Sequence, residues 1–337
     1  MTRVGFVGAG LIAFYHGLML DSCEESHEIS AVYDVDRQRA EGFRNWKGAT
    51  VCDSLGELLD RCDAVFVCTW TAAHRDAVLA AAARGTPVFC EKPLATDLAG
   101  ADELCLAVRN AGVANMVGLV LRSSPPLLAL RELIREPASG RVMNVVFRDD
   151  QYIPTQGMYA STWRGDRHKA GSGTMLEHSI HDVDLLEWLC GPLATVSART
   201  ANFHGIDGIE DSVSAVFGFQ AGHSATLTSV WHDVLARPSQ RRMEVFCERA
   251  LLTLGGDTDG PVSWERDGDV GTLEGDALSG WLADRGISVE PAENRFLRAC
   301  RDGGSVSPGF DEALRAHVLV DAVYRSAVSG GAPVAVS

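Results

Sequence analysis

The chain has 337 residues, 46% of them apolar, and a formal charge of −15 at neutral pH, which fits a soluble globular protein of two domains. That acidity argues against nucleic acid or an anionic membrane surface as partner, because both need a basic face. The nine cysteines are scattered and never spaced C-x-x-C, so a disulfide frame or a cysteine zinc site is not expected, and reduced thiols are.

The first predicted strand, Arg3–Val7, runs into Gly8-Ala9-Gly10-Leu11-Ile12-Ala13 and a helical pattern. Gly8 suits a tight turn out of the strand, Gly10 lets the backbone approach a diphosphate, and Ala13 lets the helix pack close to the sheet. The helix beginning at Leu11 and Ile12 directs free N–H groups and the positive end of its dipole at the anion. A second apolar run, Glu28–Tyr33, ends on Asp34, placed for the ribose hydroxyls of a dinucleotide. The carboxylate favours NAD over NADP because it repels a 2′-phosphate, whereas nearby Arg37 pulls the other way.

Further strands are predicted at Ala49–Cys52, Ala64–Cys68, Pro87–Cys90 and Ala114–Leu119. Ser54 caps a helix over Leu55–Asp60, Gly85 closes Ala73–Arg84, and Thr96 or Asp97 opens a helix that Gly112 ends. Alternating strands and helices mean βαβ units, hence an α/β fold with a doubly wound parallel sheet over residues 1–122. Glu91-Lys92-Pro93 stands at the end of the fifth strand, on the side where ligands gather in such sheets. Glu91 and Lys92 point in opposite directions along an extended chain, so only one of them faces a cofactor.

After Arg122 the pattern changes. Ser124-Pro125-Pro126 opens a helix, and Arg141–Tyr152 reads as a long strand. Gly171–Leu189 carries Glu177 and His181, four apart and predicted on one helix face, before Gly191-Pro192 ends the helix. A carboxylate beside an imidazole favours the charged ring and orients it, which suits general acid–base chemistry. His178 points about 100° away from Glu177 and reads as a packing residue. Val213–Phe219 and Ala225–Trp231 read as a hairpin around Gln220-Ala221-Gly222-His223, with Ser224, Thr226 and Thr228 alternating to a polar face. The expected second domain, residues 123–337, is therefore α/β with a mainly antiparallel sheet covered on one face. Asp257–Gly275 is predicted as a surface loop, and Glu293–Arg301 and Asp311–Ser326 as closing helices.

Three segments then stand in order: Gly8-x-Gly10-x-x-Ala13, Glu91-Lys92-Pro93, and Gly171-x-Gly173 followed by Glu177-x-x-x-His181-x-x-Asp184. Their order and separation resemble the glucose–fructose oxidoreductase, inositol dehydrogenase and MocA family of NAD(P)-dependent oxidoreductases, over essentially the whole chain. The resemblance implies a Rossmann domain, then an α/β domain whose large open sheet mediates oligomerisation, giving a homodimer or homotetramer. It makes Lys92 the lysine that contacts the substrate hydroxyl and the nicotinamide side, and His181 the general acid/base. Glu177 stands where most members carry aspartate. In the loop from Thr69 to His74, Trp70-Thr71 replace the usual proline and asparagine, while His74 matches, and Trp163-Arg164 matches as a substrate-side pair. Arg122, the segment Tyr152–His168 and His232 complete the candidate substrate residues.

The function so implied is hydride transfer between nicotinamide C4 and a secondary alcohol or ketone of a sugar, inositol or related polyol. His181 accepts the hydroxyl proton and Lys92 stabilises negative charge on oxygen. A non-catalytic dinucleotide-binding sensor of the same fold is the alternative, and Lys92, Glu177 and His181 speak against it. A metal-dependent hydrolase or isomerase using His178, His181 and Asp182 has a poor ligand set and leaves the glycine turn unused, so no metal is expected. No apolar stretch approaches a membrane span, and Met1-Thr2-Arg3 leads directly into a strand, so a cytoplasmic location is expected.

Overall fold

A computed structural model describes every residue except Met158, Tyr159, Ser305 and Ser337. The first two fall within Tyr152–His168, so that part of the candidate substrate segment lies outside the described residues. The chain forms two compact units, Met1–Val120 with Glu290–Arg315, and Leu121–Val289 with Ala316–Ser337. Sequence reasoning places one boundary at residue 122. The chain crosses near that point and then returns, because residues 290–315 join the first unit.

The first unit is built on β1 (Thr2–Val7), β2 (His27–Tyr33), β3 (Thr50–Val51), β4 (Ala64–Val67), β5 (Val88–Cys90) and β6 (Asn115–Val117). They pair in parallel in the order β3-β2-β1-β4-β5-β6, the order of a doubly wound nucleotide-binding sheet. Val4, Phe6, Val65 and Phe66 are fully buried, as expected for strands covered on both faces. The crossovers are α1 (Leu11–Asp21), α2 (Arg37–Lys47), α3 (Leu55–Leu59), α4 (His74–Ala83) and α5 (Leu98–Ala111). Ser54 caps α3 by accepting the Glu57 N–H at 3.1 Å, and Asp97, not Thr96, caps α5 through the Gly100 N–H at 2.8 Å.

The second unit carries α6 (Pro125–Arg135), β7 (Val142–Tyr152), α7 (Arg167–Ala170), α8 (Thr174–Glu177), α9 (Ile180–Cys190), β8 (Leu193–Ala201), β9 (Ser212–Phe219) and β10 (Ser224–His232). β11 (Gln240–Cys247), β12 (Ala250–Leu254), β13 (Val262–Arg266), β14 (Asp269–Leu273) and α10 (Gly275–Asp284) follow. After α11 (Ala292–Asp302) in the first unit, α12 (Phe310–Val328) and β15 (Val334–Ala335) end the chain. The nine-stranded sheet runs β14-β13-β12-β11-β7-β10-β9-β8-β15 and is antiparallel except where β10 pairs with β7. One face is buried under Leu127, Leu130 and Leu133 of α6, Val183 and Leu186 of α9, and Leu319 and Val323 of α12. The other face shows exposed Ser214, Thr226, Thr228, Arg242 and Glu244, with Val216 and Phe246 among them. It is more polar than an open apolar sheet.

Asp257–Gly275 is not simply a loop, since it holds the β13–β14 hairpin. Its glycines serve the strands: Gly268 adopts φ +75 at the turn, and a Cβ on Gly271 would fall 2.1 Å from the Trp264 ring that lies over it.

Candidate active site

β1 delivers the glycine turn to the carboxyl end of the sheet. Gly8 has φ +91, and a Cβ there would sit 2.6 Å from the carbonyl oxygen of Cys68, just past β4, so only glycine fits. At Gly10, the N-cap of α1, a Cβ would meet nothing within 4 Å, which leaves the backbone open to an incoming group. Leu11 and Ile12 expose their side chains on the first turn, while Ala13 is fully buried beneath it. Asp34 folds back on the turn: one carboxylate oxygen accepts the Ala9 N–H at 2.7 Å and the other the Asp36 N–H at 2.8 Å.

Beside it a cavity of about 310 Å³ is lined by Tyr33, Asp34, Val35, Arg37, Val51, Cys52 and Asp53. Arg37 pairs with Asp53 and, at 3.3 Å, with Glu41. These residues fit a dinucleotide: helix N–H groups, open space over Gly10, and a carboxylate at the rim of a pocket of nucleoside size. With the Arg37 charge shared between two carboxylates, the pocket suits a ribose diol better than a 2′-phosphate.

Thr69 and Trp70 are half-buried at the end of β4. His74 is 1% exposed, with Nδ1 3.0 Å from the Pro93 carbonyl and Nε2 3.2 Å from the Thr69 carbonyl. It braces two loops from inside and presents no open ring face to a ligand. Burial lowers its pKa, so the ring is neutral and donates to one of the two carbonyls.

Glu91 turns inward, 7% exposed, whereas Lys92, just past the end of β5, is half-buried. The Glu91 carboxylate meets His16 Nε2 at 2.9 Å through one oxygen and accepts the Lys92 N–H at 3.2 Å through the other. Glu91, nominated for the cofactor, is thus an interior residue that holds the lysine's backbone. His16 and its second partner Glu293, at 2.6 Å, escaped sequence reasoning. The available signal is a histidine on the buried stripe of α1, next to Gly17 and between Ala13 and Leu20.

In the second unit the turn Gly171-Ser172-Gly173 is fixed from behind. A Cβ on Gly173 would fall 1.8 Å from the Glu210 carbonyl oxygen. The Glu210 carboxylate accepts the N–H of Gly173 at 2.7 Å, that of Met175 at 2.9 Å and the Tyr324 hydroxyl at 2.9 Å. α8 follows and ends on Glu177, 3% exposed, whose carboxylate lies 3.5 Å from Arg164 Nε. Arg164 stacks on Trp163 at 4.4 Å and donates to the Ser161 hydroxyl at 2.7 Å.

Glu177 and His181 do not share one continuous helix. His178 and Ser179 break it, and His181, 8% exposed, is the second residue of α9. The break has a polar cause: His178 Nε2 stands 2.9 Å from the Asp149 carboxylate on β7, and the Ser179 hydroxyl donates to that of Ser229 on β10 at 2.6 Å. The His178 side chain, 14% exposed, is thus held by Asp149 and also meets Arg241 at 3.1 Å.

Beneath this bend Arg241 contacts Asp182 at 2.7 Å, Asp257 at 2.8 Å and Asp149 at 3.2 Å. Burial first, then the Asp149 charge, pushes Asp182 up to about 7, with Arg241 opposing, so Asp182 holds a proton at low pH. Arg122 binds Asp184 through two hydrogen bonds, one of 2.8 Å. His232 ends β10 beside Asp150, 3.5 Å away. Among the described residues, no group of three or more His, Cys, Asp or Glu could hold a metal ion, and no helix is long and apolar enough to cross a membrane.

The profile of an oxidoreductase family with an NAD-binding Rossmann fold matches residues 2–119, and that of the GFO/IDH/MocA C-terminal domain matches residues 127–253. A 1,5-anhydro-D-fructose reductase of Ensifer adhaerens is 32% identical over 227 residues, 66% of this chain and 67% of that enzyme. An inositol 2-dehydrogenase of Cereibacter sphaeroides is 33% identical over 190 residues, 56% of this chain and 53% of the relative, about half its length. A levoglucosan dehydrogenase in complex with NADH and L-sorbose matches with a TM-score of 0.86 at 20% identity, covering 100% of this chain and 99% of that one, which establishes the fold. The chain belongs to the glucose–fructose oxidoreductase, inositol dehydrogenase and MocA family of NAD-binding oxidoreductases.

Proposed function

We propose that the protein oxidises or reduces a neutral sugar, inositol or related polyol at one secondary carbon, with NAD as redox partner. The observation that carries the reading is that Glu177 and His181 are both buried in the two short helices that follow a turn locked by Glu210, polar groups that a dinucleotide sensor does not need. The bound nicotinamide supplies a hydride acceptor or donor at C4. His181 takes the hydroxyl proton in the oxidative direction, a contribution of about 10²–10⁴-fold for positioned acid–base groups. Lys92 stabilises negative charge on the substrate oxygen. Glu177, held by Arg164, orients the acid–base region, and Trp163 and Arg164 face the sugar. Gly8, Gly10, Leu11, Ile12 and Ala13 cradle the diphosphate, and Asp34 takes the adenosine ribose, with Thr69 and Trp70 beside the cofactor.

The neutral class follows from charge. Arg122 is matched by Asp184 and Arg164 by Glu177, so neither cation is left over for a substrate phosphate or carboxylate. A screen that follows reduced-nicotinamide absorbance with inositols and aldoses, beside glucuronate and glucose 6-phosphate, tests this. Turnover confined to neutral polyols is expected; a preference for the anionic ones contradicts it. Pairing of two copies through the open sheet face is also proposed, and a strict monomer by light scattering would overturn it.

A further inference from the structure

Nothing in the proposed reaction uses His16, yet its surroundings are constructed. The ring is 3% exposed, edge-on to Phe89 at 4.9 Å and 5.5 Å from Phe66. Each ring nitrogen faces a carboxylate: Nδ1 meets Glu293 at 2.6 Å and Nε2 meets Glu91 at 2.9 Å. Two carboxylates can be satisfied together only by a ring with a proton on both nitrogens. Burial is the largest influence on His16 and opposes the charge, but the two carboxylate bonds outweigh it and raise the pKa to about 9. Burial likewise pushes Glu91 up, and the bond and charge of His16, with the charge of Lys92, bring it below its ordinary value.

The Glu91 carboxylate is fixed on two further sides. Its second oxygen takes the Lys92 N–H at 3.2 Å. A Cβ at residue 118 would fall 2.2 Å from its first oxygen, so Gly118 leaves the space it occupies. The far anchor, Glu293, sits on the first turn of α11, which docks through Ala292, Phe296 and Leu297, with Phe296 against Phe66 and Phe89. All these groups belong to the first unit.

We propose that Glu293, His16 and Glu91 form a positioning relay for Lys92, in which a charged imidazole clamps Glu91 and Glu91 holds the backbone from which the lysine side chain departs. This rests on the reading that Lys92 serves the reaction. The relay explains why a helix that follows the second unit in sequence returns to the first: it brings the negative charge that keeps His16 protonated.

The test uses the NADH-bound full-length protein. In the wild type, ¹⁵N spectra should show His16 protonated on both nitrogens at about pH 7.5. In Glu293→Gln and His16→Gln the Lys92 amide should exchange with solvent about tenfold faster, while the Val65 amide in β4 is unchanged, a local effect that general loosening does not produce. Turnover of whichever polyol the screen selects should fall about tenfold in Glu293→Gln with NADH affinity kept, and Glu293→Asp should recover most of it. A neutral His16 in the wild type, or an unaltered Lys92 amide in both variants, overturns the relay even if no substrate is found. Lys92→Ala separates the two claims: undiminished turnover in that variant removes the role of Lys92, whereas a dead Lys92→Ala beside an unaffected Glu293→Gln removes only the relay.

Discussion

Asp34 reaches back across the glycine turn to accept the Ala9 N–H at 2.7 Å. The residue assigned to the ribose is therefore tied to the loop assigned to the diphosphate, and Arg37 beside it is shared between Asp53 and Glu41. NADH should bind at least about tenfold more tightly than NADPH, a difference near 1.4 kcal/mol. Replacing the acid with Asp34→Ser should narrow or reverse the ratio. Fluorescence titration of both reduced cofactors reads this directly, and equal wild-type affinities would contradict it.

Gly8 and Gly10, two residues apart in the motif, should behave differently on substitution. Gly8→Ala forces a strained φ and drives a methyl group at the Cys68 carbonyl, so it should lower the melting temperature, with about 1–3 kcal/mol from backbone strain alone. Gly10→Ala meets open space, so folding should be untouched while NADH affinity falls about tenfold or more, because the methyl occupies the diphosphate approach. Thermal melts with and without NADH separate the cases. A destabilised Gly10→Ala would mean that the open space is not there.

Asp182 makes stability depend on pH with a definite sign. Its folded pKa, about 7, lies above the unfolded value of 3.8, so its protonated form is favoured by folding. That contribution is complete below the unfolded value and is lost as pH rises through about 7. Asp182→Asn keeps an acceptor for Arg241 and stays neutral, so its melting temperature should exceed that of the wild type at about pH 8.5 and the two should converge in acid. A variant that melts lower in alkali would show that the ionised carboxylate is the stabilising form.

Arg122 and Asp184 are 14% and 4% exposed at their side chains. Removing only the acid, in Asp184→Ala, strands a guanidinium and should cost about 3–5 kcal/mol, as for other buried pairs. Changing both residues to leucine should cost clearly less. Denaturant melts of the three proteins check this, and additive losses would mean that the pair is not coupled.

Local signals were the legible ones. The glycine turn, Asp34, the caps at Ser54 and Asp97 and the alternation in β10 depend on neighbours within a few residues, and each stands where its pattern requires. What stayed hidden depends on contacts far apart in sequence. His16 and Glu293 are separated by 277 residues, and the helix break between Glu177 and His181 follows from Asp149 and Ser229 on two strands. The glycines of the β13–β14 hairpin have the composition of a loop, and the space that Trp264 needs over Gly271 follows only from cross-strand packing.

The central claim is that His181 moves the proton while hydride is exchanged. Single-turnover absorbance of the reduced nicotinamide, in His181→Ala and wild type with the same neutral polyol, tests it most directly. The account expects NADH to bind the variant normally and the chemical step to slow by about 10²–10⁴-fold. An undiminished step in His181→Ala would contradict it.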